Sequence, residues 1–371
     1  MSKRACWPGL TQTMRCGVLW LLLGCGLPVV TWAQGQVPSI AAKQAQYTRI
    51  EFSCCLAHDR SQPVWQAISR SDPDVFLLLG NALNIDADDI DDMRSAYDVL
   101  DRYRGLRQTR LNSLLMSIWG AQDYAIADAD GRTNGERFAV RNLFLDYWRE
   151  PLASGRHYQQ QGIYKSVVVG QAPQRVQIIL LDSRWNRQSL TTRSWWQRLQ
   201  AWFNDQGRWQ QNNSDELLGE SQWQWLNEQL QVPAEVRIVG SSEAFLSDFD
   251  GHDNWSAYPA AQQRLFRTLR DSRANGVVLV AGSKRYGDLS VHQGAVDYPL
   301  WQISSGSINR GGGAVSANRY RQGKAYPEAH YGRIEIQWAN QQPQLLLSVR
   351  DIDGRVLQQQ QLALQTLTAD N

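Results

Sequence analysis

The apolar positions of the chain form short continuous runs that alternate with longer segments of helical periodicity. The runs at 75–79 and 277–281 contain no polar residue, and strands covered on both faces have this pattern. Such strands are predicted at 49–55, 74–80, 114–119, 176–182, 236–241, 276–282 and 300–305. Helices are predicted between them at 91–104, 136–148, 218–230 and 260–272. This alternation favours a parallel or mixed sheet with helices outside it.

Toward the C-terminus the pattern changes to an alternation of apolar and polar residues. Residues 333–338 and 345–350 alternate as half-buried strands do. Asp353-Gly354 then predicts a hairpin turn that leads into a last strand at 356–362. These strands are expected to be antiparallel neighbours.

The least regular part of the chain is an insertion at 188–215. It contains Trp195, Trp196, Trp202 and Trp209, which could form an exposed aromatic patch that binds a glycan or another protein. Apart from it, the chain has no repeat, no charge block and no linker rich in Pro, Gly or Ser. We therefore predict one domain at 48–367, preceded by a short segment at 34–47.

The first 33 residues have the pattern of a bacterial signal peptide. Basic residues precede an apolar stretch of about 15 residues, which is short of the roughly 20 needed to span a bilayer, and Thr31-Trp32-Ala33 offers a small-residue exit. Processing would place the chain in the periplasm or outside the cell. A membrane anchor and lipidation at Cys25 are the alternatives, and either Met1 or Met14 could be the start.

The composition is that of a globular protein and excludes some classes of function. The 371 residues are 43% hydrophobic and 20% charged, so a core can be buried. A formal net charge of +2 gives no indication of a nucleic-acid partner. The five histidines lack metal-ligand spacing. Only His58 is expected near a site, because it follows the first predicted strand closely.

Cys54 and Cys55 are the only cysteines outside the predicted signal peptide, and they are neighbours. A disulfide between neighbouring residues is strained, so free thiols are expected. A thiol kept in an oxidising compartment is either buried or bound to a metal, and burial is the commoner case. The domain should therefore depend on its core for stability.

Small and polar residues follow the predicted buried strands. Ligands bind at the carboxyl ends of strands in open α/β sheets, so these segments are the first place to look for chemistry. Four carry candidates: Ser53-Cys54-Cys55, Gly80-Asn81-Ala82-Leu83-Asn84-Ile85-Asp86, Trp119-Gly120-Ala121-Gln122-Asp123 and Gly282-Ser283-Lys284-Arg285. The predicted cleft is lined by Asn81, Asn84, Asp86, Asp123, Lys284 and Arg285.

Other segments carry longer recognisable strings. Residues 178–184 read Ile-Ile-Leu-Leu-Asp-Ser-Arg, and residues 218–226 read Leu-Gly-Glu-Ser-Gln-Trp-Gln-Trp-Leu. With 255–265, 331–336 and the strand-end segments, these strings resemble the alkaline phosphatase D (PhoD-like) family of the metallophosphatase (calcineurin-like phosphoesterase) superfamily. The resemblance covers about 49–367, and its most specific part is Gln-Trp-x-Trp-Leu.

This resemblance implies both a fold and a chemistry. The fold is a four-layer α-β-β-α sandwich, with two mixed sheets face to face and helices outside. Family members bind a cluster of metal ions, which activates a water or hydroxide against a phosphoester. Several divalent or trivalent cations in one site need anionic or imidazole ligands around them.

The chain departs from the family at most of the implied ligand positions. Cys55 keeps the thiolate position, and Asp86 matches a family acid. The replaced positions are Asn81 (Asp in the family), Asn84 (Tyr), Ala121 (a ligand carboxylate), Gln122 (the catalytic His), and Ser283 and Arg285 (Asp and His). Ala121 cannot ligate, and Lys284 and Arg285 would repel a metal by on the order of 4 kcal/mol per charge pair. The metal cluster is therefore predicted not to form, and no cofactor is expected.

The sequence thus predicts an exported, non-catalytic relative of phosphodiesterases and phosphomonoesterases, which serves as a binding or interaction protein of the cell envelope. Expected partners are phosphate or another anion, an envelope protein or a glycan, with no nucleic acid and no transmembrane helix. Lys284 or Arg285 would replace the positive charge of the metals. It would either bind the anion or pair with Asp86 or Asp123.

The alternative is an active, metal-dependent phosphodiesterase or phosphomonoesterase with an altered site. Cys55 and Asp86 would then bind a divalent or trivalent metal, such as iron or calcium. Metal content and turnover distinguish the two hypotheses.

Overall fold

The computed structural model describes residues 46–85, 89–124, 130–131, 134–158, 161–203, 207–282, 286–338 and 342–369. They belong to one unit of the chain, Pro38–Asn371. The predicted signal peptide at 1–33 lies outside the described residues. Within the described ranges, no helix combines the length and the apolar character needed to cross a membrane.

Strands and helices alternate along the first two thirds of the domain. The strands of the described chain are β1 (Tyr47–Ser53), β2 (Val75–Leu79), β3 (Leu114–Ile118), β4 (Lys165–Val169), β5 (Val176–Leu180), β6 (Val236–Ser241), β7 (Val277–Ala281), β8 (Gly287–His292), β9 (Leu300–Ser304), β10 (Arg321–Tyr326), β11 (His330–Gln337), β12 (Gln344–Asp351) and β13 (Val356–Ala363). The helices are α1 (Trp65–Ser71), α2 (Ile90–Leu100), α3 (Arg104–Asn112), α4 (Arg137–Tyr147), α5 (Gly155–Tyr158), α6 (Trp195–Phe203), α7 (Glu220–Leu230) and α8 (Pro259–Asp271).

The strands form two mixed sheets. The first has the order β13-β12-β11-β1-β2-β3, and the second has the order β10-β8-β9-β7-β6-β5-β4. The parallel strands are β1, β2 and β3 in the first sheet, where β3 is at the edge, and β5, β6, β7 and β9 in the centre of the second. Helices connect most of these parallel neighbours, as crossovers require.

The two sheets pack face to face through their apolar surfaces. A Cβ added at Gly287 of β8 would lie 2.7 Å from side-chain atoms of His330 in β11 and of Val349 in β12. A Cβ at Gly240 would lie 3.3 Å from the Leu79 side chain of the opposite sheet. Every residue of β2 and β7 is buried, which the continuous apolar runs predicted. The fold is the α/β sandwich expected from the resemblance.

The largest differences from the sequence prediction concern short or polar elements. The helix predicted at 91–104 is two helices, because α2 ends at Leu100 and α3 begins at Arg104. Strands β4, β8 and β10 were not predicted. In β10 most side chains are at least partly exposed, so an edge strand of this kind has no apolar pattern to find. The hairpin turn at Gly354, with a φ of 91°, is confirmed.

Most of the described tryptophans outside the insertion lie in the core. Trp65, Trp119, Trp223 and Trp255 are buried, and Trp225 is half-buried against the ring of Tyr164. The insertion at 188–215 was expected to be irregular, but its residues 195–203 form helix α6. The Asn212-Asn213-Ser214 segment and the Gly311-Gly312-Gly313 segment are loops.

Candidate functional site

The carboxyl ends of parallel strands from both sheets converge on one region. The Cys55 amide, after β1, donates to Gly80 O after β2 at 3.0 Å. The Gly282 amide, after β7, donates to Ser241 O of β6 at 3.1 Å. Between the sheets, Ser53 Oγ lies 3.0 Å from Ser305 Oγ. The strand ends selected from the sequence are therefore neighbours, and they form the candidate cleft.

A disulfide between neighbouring residues closes the end of β1. Cys54 and Cys55 are bonded, with their Cα atoms 3.8 Å apart. The expectation of two free thiols was therefore wrong. Cys54 is fully buried and Cys55 is half-buried. The species that ligates metals is the thiolate, and Cys55 cannot supply one while this bond is intact.

The backbone after β2 takes a left-handed conformation that brings it close to the end of β3. Gly80 has a φ of 94° and Asn81 a φ of 50°, and Asn tolerates this region better than most residues. A Cβ at Gly80 would lie 2.6 Å from Gly120 N, and a Cβ at Gly120 would lie 2.3 Å from Asn81 Oδ1. Side chains at 80 and 120 are thus excluded by direct contact between the two loops.

The side chain of Asn81 is used within the protein. Its Oδ1 accepts a hydrogen bond from the Gln122 amide at 3.0 Å. Its Nδ2 lies 4.0 Å from Cys55 Sγ, within contact for a sulfur acceptor. Ala121, between the two loops, is buried and has no donor atom in its side chain. Asn81, which the motif resemblance equates with a family ligand, is thus engaged in internal contacts.

Asp123 holds the ends of β2 and β3 together. Its Oδ1 accepts from the Leu83 amide at 3.1 Å, and its Oδ2 accepts from the Gly120 amide at 2.9 Å. Burial raises the pKa of Asp123 to about 6, although the backbone donors act in the opposite direction. Both oxygens of the carboxyl thus have partners in the loops that form the cleft.

Asn84 and His58 form a second contact beside the cleft. The Asn84 amide donates to His58 Nδ1 at 3.0 Å, and Asn84 Nδ2 donates to Asp59 Oδ1 at 3.3 Å. Burial lowers the pKa of His58, and the nearby Arg310 adds to this against the effect of Asp59. A neutral imidazole that accepts at Nδ1 is consistent with this contact, and His58 lies beside the cleft as expected.

Several predicted cleft residues lie outside the described part of the chain. These are Asp86, Ser283, Lys284 and Arg285. Pairing of Lys284 or Arg285 with an acid therefore remains a prediction. Within the described ranges, no group of three or more His, Cys, Asp or Glu side chains could hold a metal ion.

A buried charge cluster beside the cleft was missed from the sequence. Arg184, after β5, pairs with Glu243, after β6, and also with Asp253 at 2.7 Å. Arg187 reaches the same Asp253 oxygen at 2.6 Å. Burial raises the pKa of Asp253, but the two guanidinium groups outweigh it, so the pKa lies below its usual value. The strand-end rule, applied to β6, would have found Glu243.

Asp182 connects this cluster to the other sheet. Its Oδ1 accepts from Trp119 Nε1 at 2.8 Å, and its Oδ2 accepts from the Ile163 amide at 2.8 Å. The Arg184 amide also donates to Oδ1 at 2.8 Å. The Leu181-Asp182-Ser183-Arg184 string therefore organises the mouth of the sandwich, since Asp182 anchors one sheet to the other.

The donors at the ends of β1, β2 and β3 differ from those that surround a metal cluster. Such a cluster needs several anionic or imidazole ligands. The described ends of β1, β2 and β3 offer a disulfide sulfur, an amide whose oxygen accepts a backbone hydrogen bond, an alanine and a carboxyl held by two amides. This donor set does not fit the cluster that the family fold implies.

Comparison with known proteins identifies the same family. A family model described as PhoD-like phosphatase matches residues 122–350. The solved structure of PhoD has a TM-score of 0.62 at 15% identity, over 85% of this chain and 68% of that one. GAP50, described as the anchor in the inner membrane complex of Plasmodium, gives 0.52 at 11% identity, over 88% and 90%. A dimetal phosphatase from Danio rerio gives 0.50 at 13% identity, over 87% and 99%. No curated protein sequence matches.

At these identities the solved structures show a shared fold, and the family model carries the assignment. Its match covers more than half of the chain and begins at Gln122. The ends of β3, β5, β6 and β7 therefore lie within or at the border of the match, whereas the equivalence of Cys55 and Asn81 to family positions depends on the motif resemblance alone. The chain belongs to the PhoD-like phosphatase family.

Proposed function

We propose that this chain is a non-catalytic member of its family and acts as an exported binding or interaction protein of the cell envelope. The observation that carries the proposal is the hydrogen bond from the Gln122 amide to Asn81 Oδ1, at 3.0 Å. By the motif resemblance, Gln122 corresponds to the catalytic histidine and Asn81 to a metal ligand, so the bond would join these two positions. A metal at this point would have to displace a contact that holds two loops together.

The charge of the site supports the same proposal. A cluster of cations is stable only where ligands neutralise it. The change to Asn81 removes one full negative charge, and Ala121 removes another ligand altogether. The disulfide at Cys55 removes the thiolate. Since the losses fall on three strand ends, one compensating change is not enough to restore the cluster.

Export and a role in the envelope rest on the sequence of residues 1–33. If these residues are removed as a signal peptide, the Cys54–Cys55 disulfide is suited to the oxidising space that the domain would reach. One structure with a similar fold, GAP50, is described as an anchor in a membrane complex. An interaction role is therefore compatible with this fold.

An anion such as phosphate is the ligand we propose for the cleft. Lys284 and Arg285 would supply the positive charge, since a guanidinium group binds two phosphate oxygens with its fork of donors and an ammonium group adds a point charge. Calorimetric titration with inorganic phosphate, comparing wild type with Arg285→Ala, tests this. We expect binding by the wild type and weaker binding by the variant; no binding by either protein would refute the anion proposal.

Turnover tests the non-catalytic proposal. The chain is assayed with p-nitrophenyl phosphate and bis-p-nitrophenyl phosphate, with iron or calcium added, and both with and without a thiol reductant. We expect the wild type and Cys55→Ala to be equally inactive in every condition. Metal-dependent turnover that Cys55→Ala abolishes would instead establish the alternative, a hydrolase with an altered site.

A further inference from the structure

Helix α6 exposes a wide apolar face. Trp195, Trp196, Leu199 and Trp202 are 62%, 61%, 45% and 74% exposed. At about 100° of rotation per residue, these four positions fall within an arc of about 120°, with Leu199 near its centre. Ala201 lies on the opposite side of the helix and is buried. The helix therefore rests on the domain by its small residue and turns its large apolar residues outward.

The segment that carries α6 is fastened to the domain at its base. Thr192 and Trp209 form an isolated antiparallel bridge. The Gly207 amide donates to Asp250 O at 2.7 Å, and the Trp209 amide donates to Gly251 O at 3.0 Å. These bonds hold both ends of the segment, so the apolar face is presented in a fixed place. The rings of Trp195 and Trp196 stack with centroids 3.5 Å apart.

The segment that carries this face contains more basic than acidic residues. Arg198 is exposed and lies about 40° of helix rotation from Trp202, which is at the edge of the apolar arc. Between Thr192 and Trp209, whose bridge closes the segment, the sequence contains three arginines, Arg193, Arg198 and Arg208, and one acid, Asp205. The segment thus combines an apolar surface with a basic border, which complements an apolar layer beneath anionic groups.

We propose that the α6 face docks on the surface of a bilayer that contains anionic lipid. Tryptophan rings favour the headgroup level of membranes, and short amphipathic helices with basic borders lie in that plane. A bilayer accepts a convex helix without a complementary groove. A glycan site would surround its aromatic rings with hydrogen-bonding groups, whereas this face is centred on Leu199. The proposal does not involve the cleft, so it stands or fails separately from the proposed function.

Vesicle sedimentation with the full chain tests the proposal. Vesicles of phosphatidylcholine alone are compared with vesicles that also contain phosphatidylglycerol, using wild type, Trp195→Ala/Trp196→Ala/Trp202→Ala and Arg198→Glu. We expect the wild type to prefer the anionic vesicles, the triple variant to bind about tenfold more weakly or worse, and Arg198→Glu to lose the preference for anionic lipid. Any contribution of residues 1–33 is the same in all three proteins.

A matched control separates the face from apolar exposure in general. Leu152 and Tyr158 are 81% and 75% exposed elsewhere on the domain, so Leu152→Ala/Tyr158→Ala should bind vesicles like the wild type. Quenching of tryptophan fluorescence by brominated lipid should occur in the wild type and be reduced in the triple variant. Equal vesicle binding by wild type and triple variant would overturn the proposal. So would sedimentation of the wild type with peptidoglycan and not with vesicles, which would identify a glycan site.

Discussion

The buried carboxyl of Asp123 should make the stability of the domain fall as the pH rises from about 4 to about 6. Its pKa in the folded chain is about 6, against an ordinary value of 3.8. Between these values the folded chain keeps a proton that the unfolded chain releases. The contribution of the group to the free energy of unfolding is therefore complete below the unfolded pKa and is lost as the pH passes the folded pKa.

The size of the effect follows from the difference between the two pKa values. The shift is roughly two units, and one unit corresponds to about 1.4 kcal/mol, so the loss is about 3 kcal/mol across this range. Asp123 is fully buried, so solvent screening does not reduce this figure greatly. Asp123→Asn removes the titration and keeps the shape of the side chain, although its amide nitrogen faces a backbone donor. That cost is independent of pH.

Urea unfolding of wild type and Asp123→Asn at several pH values from 4 to 8, followed by tryptophan fluorescence, measures the difference. We expect the stability of the wild type relative to the variant to fall by about 3 kcal/mol as the pH rises from 4 to 7. Asp74→Asn is the control, because Asp74 is exposed before β2, and its difference from wild type should be small. A difference between wild type and Asp123→Asn that stays constant with pH would refute the reasoning.

Three further predictions concern the strand ends. Gly80→Ala should destabilise the domain by about 2 kcal/mol or more, because φ is 94° and the new Cβ would lie 2.6 Å from a backbone nitrogen; urea midpoints should show little change for Gly155→Ala, where no atom lies within 4 Å. Glu243→Gln should lower the free energy of unfolding by about 3 kcal/mol or more, because it leaves buried arginine charge uncompensated. An unchanged midpoint of thermal unfolding would contradict this. Alkylation under denaturing, non-reducing conditions should leave Cys54 and Cys55 unmodified until a reductant is added, and modification by mass spectrometry before reduction would disprove the bond.

Much of the fold could be predicted because its central strands are buried on both faces. The uninterrupted runs in β2 and β7 can be accommodated by few other structures. The edges were harder to predict, because β10 is mostly polar and exposed. Helix α6 was also missed. An exposed face of tryptophans has the same residue types as a face buried in the core, and only the surrounding structure distinguishes the two.

The site was predictable in position and less so in detail. The strand-end rule and the family motifs brought Asn81, Gln122 and Asp123 together correctly, since sheet geometry alone fixes where parallel strands end. The hydrogen bond from the Gln122 amide to Asn81 depends on the left-handed backbone at 80–81. This backbone conformation could not be predicted from the identities of the two residues. The disulfide was rejected on the general cost of bonding neighbours, and the local backbone at Cys55 accommodates it.

Metal content tests the central claim most directly. The full chain and its Cys55→Ala variant are produced with iron and calcium supplied and are dialysed without a chelator. Bound metal is then measured in both proteins by elemental mass spectrometry. The account predicts far less than one metal ion per chain in both proteins. One or more ions per chain in the wild type, lost in Cys55→Ala, would show that the family's metal site survives and would contradict the account.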